Sequence, residues 1–317
     1  MKKVFVARKL LRSNEKRMSE IWDAKLNSED KVYSQSELIE LSRDCDGILC
    51  SIVDKFDAET INKLSDKVKI ISNIAVGFGN IDIKAAMNKN IIVTNTPDVL
   101  TDATAEIAIL ILLGAARRAT EGRKWVDKKN WTWSADFLMG KQLTDSRLGI
   151  LGMGRIGQAL AERTKSFGMK IHYHNRKKLP SNLEKGAIYH ESLKSLILVS
   201  DFFSINCPTT EETKKIINEE TLSYFLNGAV IINSARGDMI DDEAMINALK
   251  SGKVFALGLD VYNGEPDIHP QYLQLDNVFI LPHLGSATEK TRFAMADLAI
   301  SNIEEYFKTG KCKNTVN

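Results

Sequence analysis

Six consecutive residues carry the plainest chemistry in the chain. Gly152-Met153-Gly154-Arg155-Ile156-Gly157 follows an apolar strand pattern, Leu148–Leu151, and opens a helical one, Ile156–Phe167. Taken alone, such a glycine pattern is a strand-to-helix turn that needs only glycine's positive φ. In this setting the spacing also suits a dinucleotide phosphate. Gly152 permits the tight turn, Gly154 lets backbone approach a pyrophosphate, and Gly157 lets the helix pack on the strand. The N–H groups of the first helical turn, at Arg155 and Ile156, would point at the phosphates together with the positive end of the helix dipole.

The next strand, Lys170–His174, bears on which dinucleotide is bound. A site for NAD ends that strand with Asp or Glu, whose carboxylate takes the adenosine ribose hydroxyls. Here the strand runs out as His174-Asn175-Arg176-Lys177-Lys178, with no acid at the position. Asn175 can hydrogen-bond but cannot repel a 2′-phosphate, and Arg176 and Lys177 can pair with one. A solvated basic loop is the bland alternative. Losing the acid and gaining cations are two changes in one direction, so NADP(H) is the expected cofactor, with NAD(H) as the open alternative. One charge-assisted hydrogen bond of about 1.5–3 kcal/mol gives roughly ten- to hundredfold preference.

Three further polar groups stand at strand ends: Arg236 in Asn233-Ser234-Ala235-Arg236-Gly237, Glu265 in Gly258-Leu259-Asp260-Val261-Tyr262-Asn263-Gly264-Glu265-Pro266, and His283 in Leu281-Pro282-His283-Leu284-Gly285. Each has a plain structural explanation by itself. Arg236 could be a surface cation, Glu265 a turn acid before Pro266, and His283 a satisfied core histidine. All three stand at strand ends on the side where a doubly wound sheet binds its ligand.

The elements that must position these groups are α/β throughout. Short β-branched runs alternate with amphipathic stretches, the pattern of parallel sheets flanked by helices. Early strands are expected at Val4–Ala7, Gly47–Cys50, Lys69–Ile74 and Ile91–Thr94, and a long helix starts at Thr101 and reaches past Arg123. A second series reads Leu148–Leu151, Lys170–His174, Phe202–Ile205, Val230–Asn233, Phe255–Leu259 and Val278–Leu281. Near-continuous apolar strands of this kind are buried on both faces. A last helix over Glu289–Phe307 is expected to return to the first domain. The result is two doubly wound domains. Residues 1–98 with 286–317 make a flavodoxin-like substrate domain, and 99–285 an inserted dinucleotide-binding (Rossmann) domain.

Composition closes off other classes. The 317 residues are 44% hydrophobic and 26% charged, with net charge +2, which speaks for an ordinary globular chain and against a nucleic-acid partner. The longest apolar run, Ile107–Ala116, is too short to span a bilayer, and the N-terminal apolar stretch stops at Arg8 without a signal-peptide core. Cys45, Cys50, Cys207 and Cys312 sit at no metal-ligand or redox spacing, so reduced thiols, no bound metal and a cytoplasmic location are expected.

Arg236, Glu265 and His283 in this order downstream of the glycine turn resemble the D-isomer-specific 2-hydroxyacid dehydrogenase family, and the likeness runs over nearly the whole chain. Ile74-Ala75-Val76-Gly77-Phe78-Gly79-Asn80-Ile81-Asp82, the run Asn95–Glu106 and the basic end of the Lys170–His174 strand are most similar to its glyoxylate/hydroxypyruvate reductase branch. The resemblance implies NAD(P)H-dependent reduction of a small 2-keto acid to a D-2-hydroxy acid. Arg236 would hold the substrate carboxylate and keto oxygen, His283 would give the proton, and Glu265 would hydrogen-bond the other imidazole nitrogen. Backbone N–H groups at Val76 and Gly77 would bind the carboxylate from the first domain. Asp260 would accept from the nicotinamide carboxamide, Thr104 would approach the nicotinamide, Cys207, Pro208 and Thr213 would line the adenosine end, and Ser234, Ala235 and Gly285 would touch the cofactor. A cleft closing about joints near Pro97/Thr101 and Gly285 is part of the same expectation.

The resemblance also implies a homodimer through the nucleotide-binding domain, with Trp131, Trp133 and Phe137-Leu138-Met139-Gly140 in the arm. Ala135 stands where the family often has proline. Within the family, a formate dehydrogenase would carry glutamine for Glu265 and a D-lactate dehydrogenase an acid for Asn175. A phosphoglycerate dehydrogenase would often carry further C-terminal domains. A broad 2-keto acid reductase stays open, as does a cofactor-sensing corepressor on the same scaffold.

Overall fold

Period-two alternation is visible in the central strands of both sheets of the computed structural model, which describes residues 1–317. Val4 and Val6 face one apolar cluster while Phe5 and Ala7 face another, and Leu49 and Ile70 oppose Ile48 and Ile71 in the same way. A strand with apolar side chains on both faces must be covered on both, which requires helices on either side.

The chain divides into two units, Met1–Leu100 with Ala287–Asn317, and Thr101–Ser286. The first holds strands β1 (Lys3–Val6), β2 (Asp23–Lys25), β3 (Gly47–Cys50), β4 (Ile70–Asn73) and β5 (Ile92–Thr94), all parallel, in the order β2-β1-β3-β4-β5. This is flavodoxin-like winding. The helix Glu289–Thr309 supplies Ala299, Ile300 and Ile303 to one face, beside Met18 of the helix Arg12–Ile21. The terminal residues then lie along β5, where Thr315 bridges Thr94 and Val316 donates to the Val93 carbonyl.

The second unit holds β6 (Arg147–Leu151), β7 (Lys170–His174), β8 (Ile188–Tyr189), β9 (Phe202–Ile205), β10 (Ala229–Asn233), β11 (Val254–Leu259) and β12 (Val278–Ile280). Their order is β12-β11-β10-β9-β6-β7-β8, again all parallel. The order reverses between β6 and β9, and the crevice outside the carboxyl ends of such strands is where a doubly wound sheet binds its ligand. Leu148, Ile150, Phe202, Val230 and Ile232 pack under Ala108, Ile111, Leu112 and Ala115 of the helix Thr101–Ala116. Leu151, Phe203, Ile205, Ile231 and Leu257 face the opposite layer.

Three features depart from the sequence expectation. The second sheet has seven strands rather than six, because the two-residue β8 adds an edge. The first sheet gains β2 in the same way. The helix from Thr101 stops at Ala116 and a new one, Ala119–Lys128, begins after Arg118 enters the left-handed region at φ 55°. No helix is long and apolar enough to cross a membrane.

Candidate active site

The glycine turn follows β6 directly. Gly152 has φ +95°, and a β-carbon there would stand 2.5 Å from the Cys207 nitrogen, so the turn after β6 touches the loop after β9. A β-carbon at Gly157 would stand 2.4 Å from the Gly152 carbonyl oxygen, which is how the helix Arg155–Lys165 sits so close to the strand. Gly154 is the N-cap of that helix, and a β-carbon on it would meet nothing within 4 Å. The turn therefore leaves open space beside a helix N-terminus with no acid in its first turn. Two buried side-chain oxygens on the same sheet edge, Asn206 Oδ1 after β9 and Ser234 Oγ after β10, have no partner in the protein. An open phosphate turn together with orphaned polar atoms fits a bound dinucleotide.

At the end of β7, Asn175 Oδ1 accepts the Met153 N–H at 2.7 Å. Its carbonyl is thus directed into the glycine turn, and the amide donors remain for a ligand. Arg176 and Lys177 are exposed. In the loop after β9, Thr213 Oγ1 donates to the Pro208 carbonyl at 2.9 Å and accepts the Thr210 N–H at 2.7 Å. Burial pushes the Cys207 thiol up to about 11, so it stays protonated near neutrality.

The acid–base groups come from the loops after β10, β11 and β12. Fully buried Asn233 folds the first of these, its Oδ1 accepting the Ala235 N–H at 3.0 Å and its Nδ2 donating to the Arg236 carbonyl at 2.7 Å. Gly237 then lies so near the next loop that a β-carbon would stand 1.9 Å from the Tyr262 carbonyl carbon. That backbone-to-backbone approach brings the loop of Arg236 against the loop of Glu265. Burial lowers the Arg236 guanidinium below its ordinary value, opposed by the charges of Glu265 and Asp238. Arg236 is half-buried with carboxylates nearby, and guanidinium remains charged at any physiological pH.

Glu265 Oε2 lies 2.6 Å from His283 Nδ1, and its Oε1 accepts the Tyr262 N–H at 3.0 Å. Burial alone would raise this carboxyl. The His283 hydrogen bond and charge, the Tyr262 N–H and Arg236 together outweigh that and hold it below its ordinary value. An ionised Glu265 can only accept, so Nδ1 of His283 carries the hydrogen and Nε2 is left for a ligand. His283 itself has φ 56°. The turn that imposes this is clamped by buried Asp260, whose oxygens accept the Leu284 N–H at 2.7 Å and the Gly285 N–H at 2.8 Å. Burial raises the Asp260 carboxyl, and the two N–H groups act against it. Thr104 Oγ1 completes the clamp by donating to the Gly285 carbonyl at 3.0 Å. Sequence reasoning assigned Asp260 and Thr104 to the cofactor. In the structure both hold the turn that presents His283, and Asn233, which was not singled out, does the same for Arg236.

In the first unit, Val76 and Gly77 lie in the turn after β4, where the Val76 carbonyl accepts Asn95 Nδ2 at 2.8 Å and the Gly77 carbonyl accepts Asn73 Nδ2 at 3.0 Å.

A doubly wound sheet with an open phosphate turn at its switch point, and an arginine, a carboxylate-bound histidine and orphaned polar atoms along the same edge, defines an oxidoreductase that uses a nicotinamide dinucleotide. Residues 109–285 match the NAD binding domain of the D-isomer specific 2-hydroxyacid dehydrogenases. A glycerate dehydrogenase from Hyphomicrobium methylovorum is 39% identical over 309 residues, 96% of each chain. A glyoxylate reductase from Thermococcus litoralis is 38% identical over 99% of this chain and 96% of its own. Among solved structures, the NADPH-dependent glyoxylate/hydroxypyruvate reductase of Sinorhizobium meliloti, in complex with NADP and malonate, superposes with a TM-score of 0.88. It is 31% identical and covers 99% of this chain and 96% of its own. The chain belongs to the D-isomer-specific 2-hydroxyacid dehydrogenase family and is an enzyme acting on the CH–OH group of 2-hydroxy acids.

Proposed function

We propose that the enzyme reduces glyoxylate and hydroxypyruvate, giving glycolate and D-glycerate, with NADPH preferred over NADH. The observation that carries the reaction is the Glu265–His283 hydrogen bond, with the half-buried Arg236 on the adjoining loop. Arg236 holds the carboxylate and polarises the keto oxygen, because its fork offers two parallel donors. Val76 and Gly77 contribute backbone N–H groups to the same carboxylate. His283 Nε2 gives its proton to the keto oxygen as the carbonyl becomes an alcohol, while Glu265 stays ionised and fixes the ring. When bound, the reduced nicotinamide supplies the hydride that the carbonyl carbon receives. The dinucleotide is held by the turn 152–157, Asn175, Arg176, Lys177, the loop of Cys207, Pro208 and Thr213, and the strand-end residues Ser234, Ala235, Asp260 and Gly285, with Thr104 beside them.

The substrate choice is supported by the glyoxylate reductase and glycerate dehydrogenase relatives, and the cofactor choice by Asn175 with its carbonyl turned into the glycine turn and two exposed cations behind it. A homodimer through the second unit is part of the same reading. Trp131, Trp133 and Met139 are left 54%, 81% and 61% exposed there, more apolar surface than one short arm needs to show water.

The test is the initial rate of loss of absorbance at 340 nm with NADPH and with NADH, each against glyoxylate, hydroxypyruvate and pyruvate. Fast NADPH-dependent reduction of glyoxylate or hydroxypyruvate, at about 1–1000 per second, is expected. Turnover with NADH alone would overturn the cofactor assignment. Tight NADPH binding without turnover of any of these acids would favour a cofactor-sensing protein instead.

A further inference from the structure

The turn after β4 has an unusual hydrogen-bond pattern. Three successive carbonyls, those of Ala75, Val76 and Gly77, accept the Thr96 N–H at 2.9 Å, Asn95 Nδ2 at 2.8 Å and Asn73 Nδ2 at 3.0 Å. In a trans peptide the N–H points opposite to the C=O of the same unit. Each of these bonds therefore aims the following N–H, of Val76, Gly77 and Phe78 in turn, away from its donor. None of the three N–H groups has a partner in the protein. Successive free backbone donors of this kind hold anions.

The donors are themselves held. Asn73 is fully buried at the end of β4, and its Nδ2 also lies 3.2 Å from Asn80 Oδ1. Asn95 donates its backbone N–H to the Asn314 carbonyl at 3.1 Å, and its carbonyl accepts Asn302 Nδ2 at 3.0 Å. Asn314 Nδ2 in turn donates to Asn302 Oδ1 at 2.8 Å. A chain of amides thus runs from the C-terminal segment through the last helix to the Val76 carbonyl.

We infer that Asn73 and Asn95 are positioning residues for the substrate carboxylate, and that the Phe78 N–H is a third donor beside those of Val76 and Gly77. The inference rests on the reading that this turn meets the carboxylate of a 2-keto acid. Without the Asn95 amide, the 76–77 peptide is free to rotate, and a carbonyl turned into the cradle repels the anion that its N–H would have bound.

Asn73 is too buried for a clean test, so Asn95 is the site to change. Asn95→Ala should raise KM for glyoxylate about tenfold while kcat stays within about threefold and the affinity for NADPH and the Tm are unchanged. Asn95→Asp, which sets an acceptor against the Val76 carbonyl and a negative charge near the substrate, should raise KM further, by roughly a hundredfold. In the wild-type enzyme with NADP+, titrated oxalate should shift the 15N amide resonances of Val76, Gly77 and Phe78, and in Asn95→Ala these shifts should need about tenfold more oxalate. A folded Asn95→Ala enzyme with KM within twofold of wild type would overturn the inference, and so would oxalate that leaves those amides unmoved. If no 2-keto acid is reduced at all, the functional reading fails separately, and the amide shifts still decide whether the turn binds a carboxylate.

Discussion

The carboxyl edge of the seven-stranded sheet is built in two different ways along its length. At the end formed by β10, β11 and β12, the reactive side chains stand on loops fixed by backbone. Asn233 brackets the Arg236 turn, Gly237 lies against Tyr262, and Asp260 with Thr104 grips the residues after His283. At the end formed by β7, Asn175 is tied to Met153 through its side chain and to the Tyr189 hydroxyl through its carbonyl, while Arg176 and Lys177 are exposed. The difference follows from the tasks. Proton transfer requires atoms at hydrogen-bond distance in one geometry, which only a rigid support provides. Telling a ribose hydroxyl from a phosphate is a matter of charge over several ångströms, and flexible cations suffice.

The sharpest way to break the comparison is at Arg236. Arg236→Ala should lower kcat/KM for the keto acid by at least about thirtyfold, since truncating one member of a desolvated charge pair costs roughly 2–5 kcal/mol. NADPH binding, followed by its fluorescence, should stay within about threefold, because the phosphate turn is built from other loops. Arg236→Lys should recover only part of the loss, as an ammonium cannot offer two parallel donors. Unchanged turnover in the alanine variant would remove Arg236 from the site.

Glu265 tests the rigid end more gently. Its carboxyl is held below its ordinary value, so the carboxylate form is present above about pH 4.3 and its contribution to the folded state is lost only as the pH falls through the lowered value. Across the neutral range the anion facing His283 is constant. Glu265→Gln replaces it with a neutral amide and removes an attraction for a protonated imidazole. The alkaline limb of the reduction rate should then move towards lower pH by about one unit, with a smaller loss of maximal rate than in Arg236→Ala. A pH profile of kcat that superposes on that of the wild type would take away the role assigned to Glu265.

How much of this was legible in the sequence depends on the kind of interaction. The strands of both sheets announce themselves because apolar side chains on both faces leave a continuous run, as in Gly47–Cys50 and Ala229–Asn233. The glycine turn is legible because steric demands at Gly152 and Gly157 admit almost no other residue. Strands β2 and β8 are not legible, since three and two residues at a sheet edge bury too little to leave a pattern. The break at Arg118 carries no glycine or proline to mark it. Least legible are the amides and carboxylates that hold backbone, Asn73, Asn95, Asn233 and Asp260. Their partners are carbonyls and N–H groups that every residue possesses, so nothing in the sequence names them. The resemblance points to Asp260 for a contact with the cofactor, and its grip on the His283 turn is visible only in the structure.

The flexible end gives the smallest effect and the subtlest test. In Asn175→Asp with Arg176→Leu, an acid returns beside the glycine turn and one cation leaves. The Met153 N–H can still be accepted by the new carboxylate, so the turn should keep its shape. Arg176 also faces the loop after β9. The Glu212 carboxyl there is held low, first by its Thr210 hydrogen bond and to a smaller degree by the Arg176 charge. The ratio of kcat/KM for NADPH to that for NADH should fall by about tenfold or more, about 1.4 kcal/mol, while kcat with the better cofactor changes little. A ratio that stays where it was would mean that Arg176 is a solvated charge and that the adenosine end selects its cofactor by other groups, whereas the Arg236 and Glu265 results would stand unaffected.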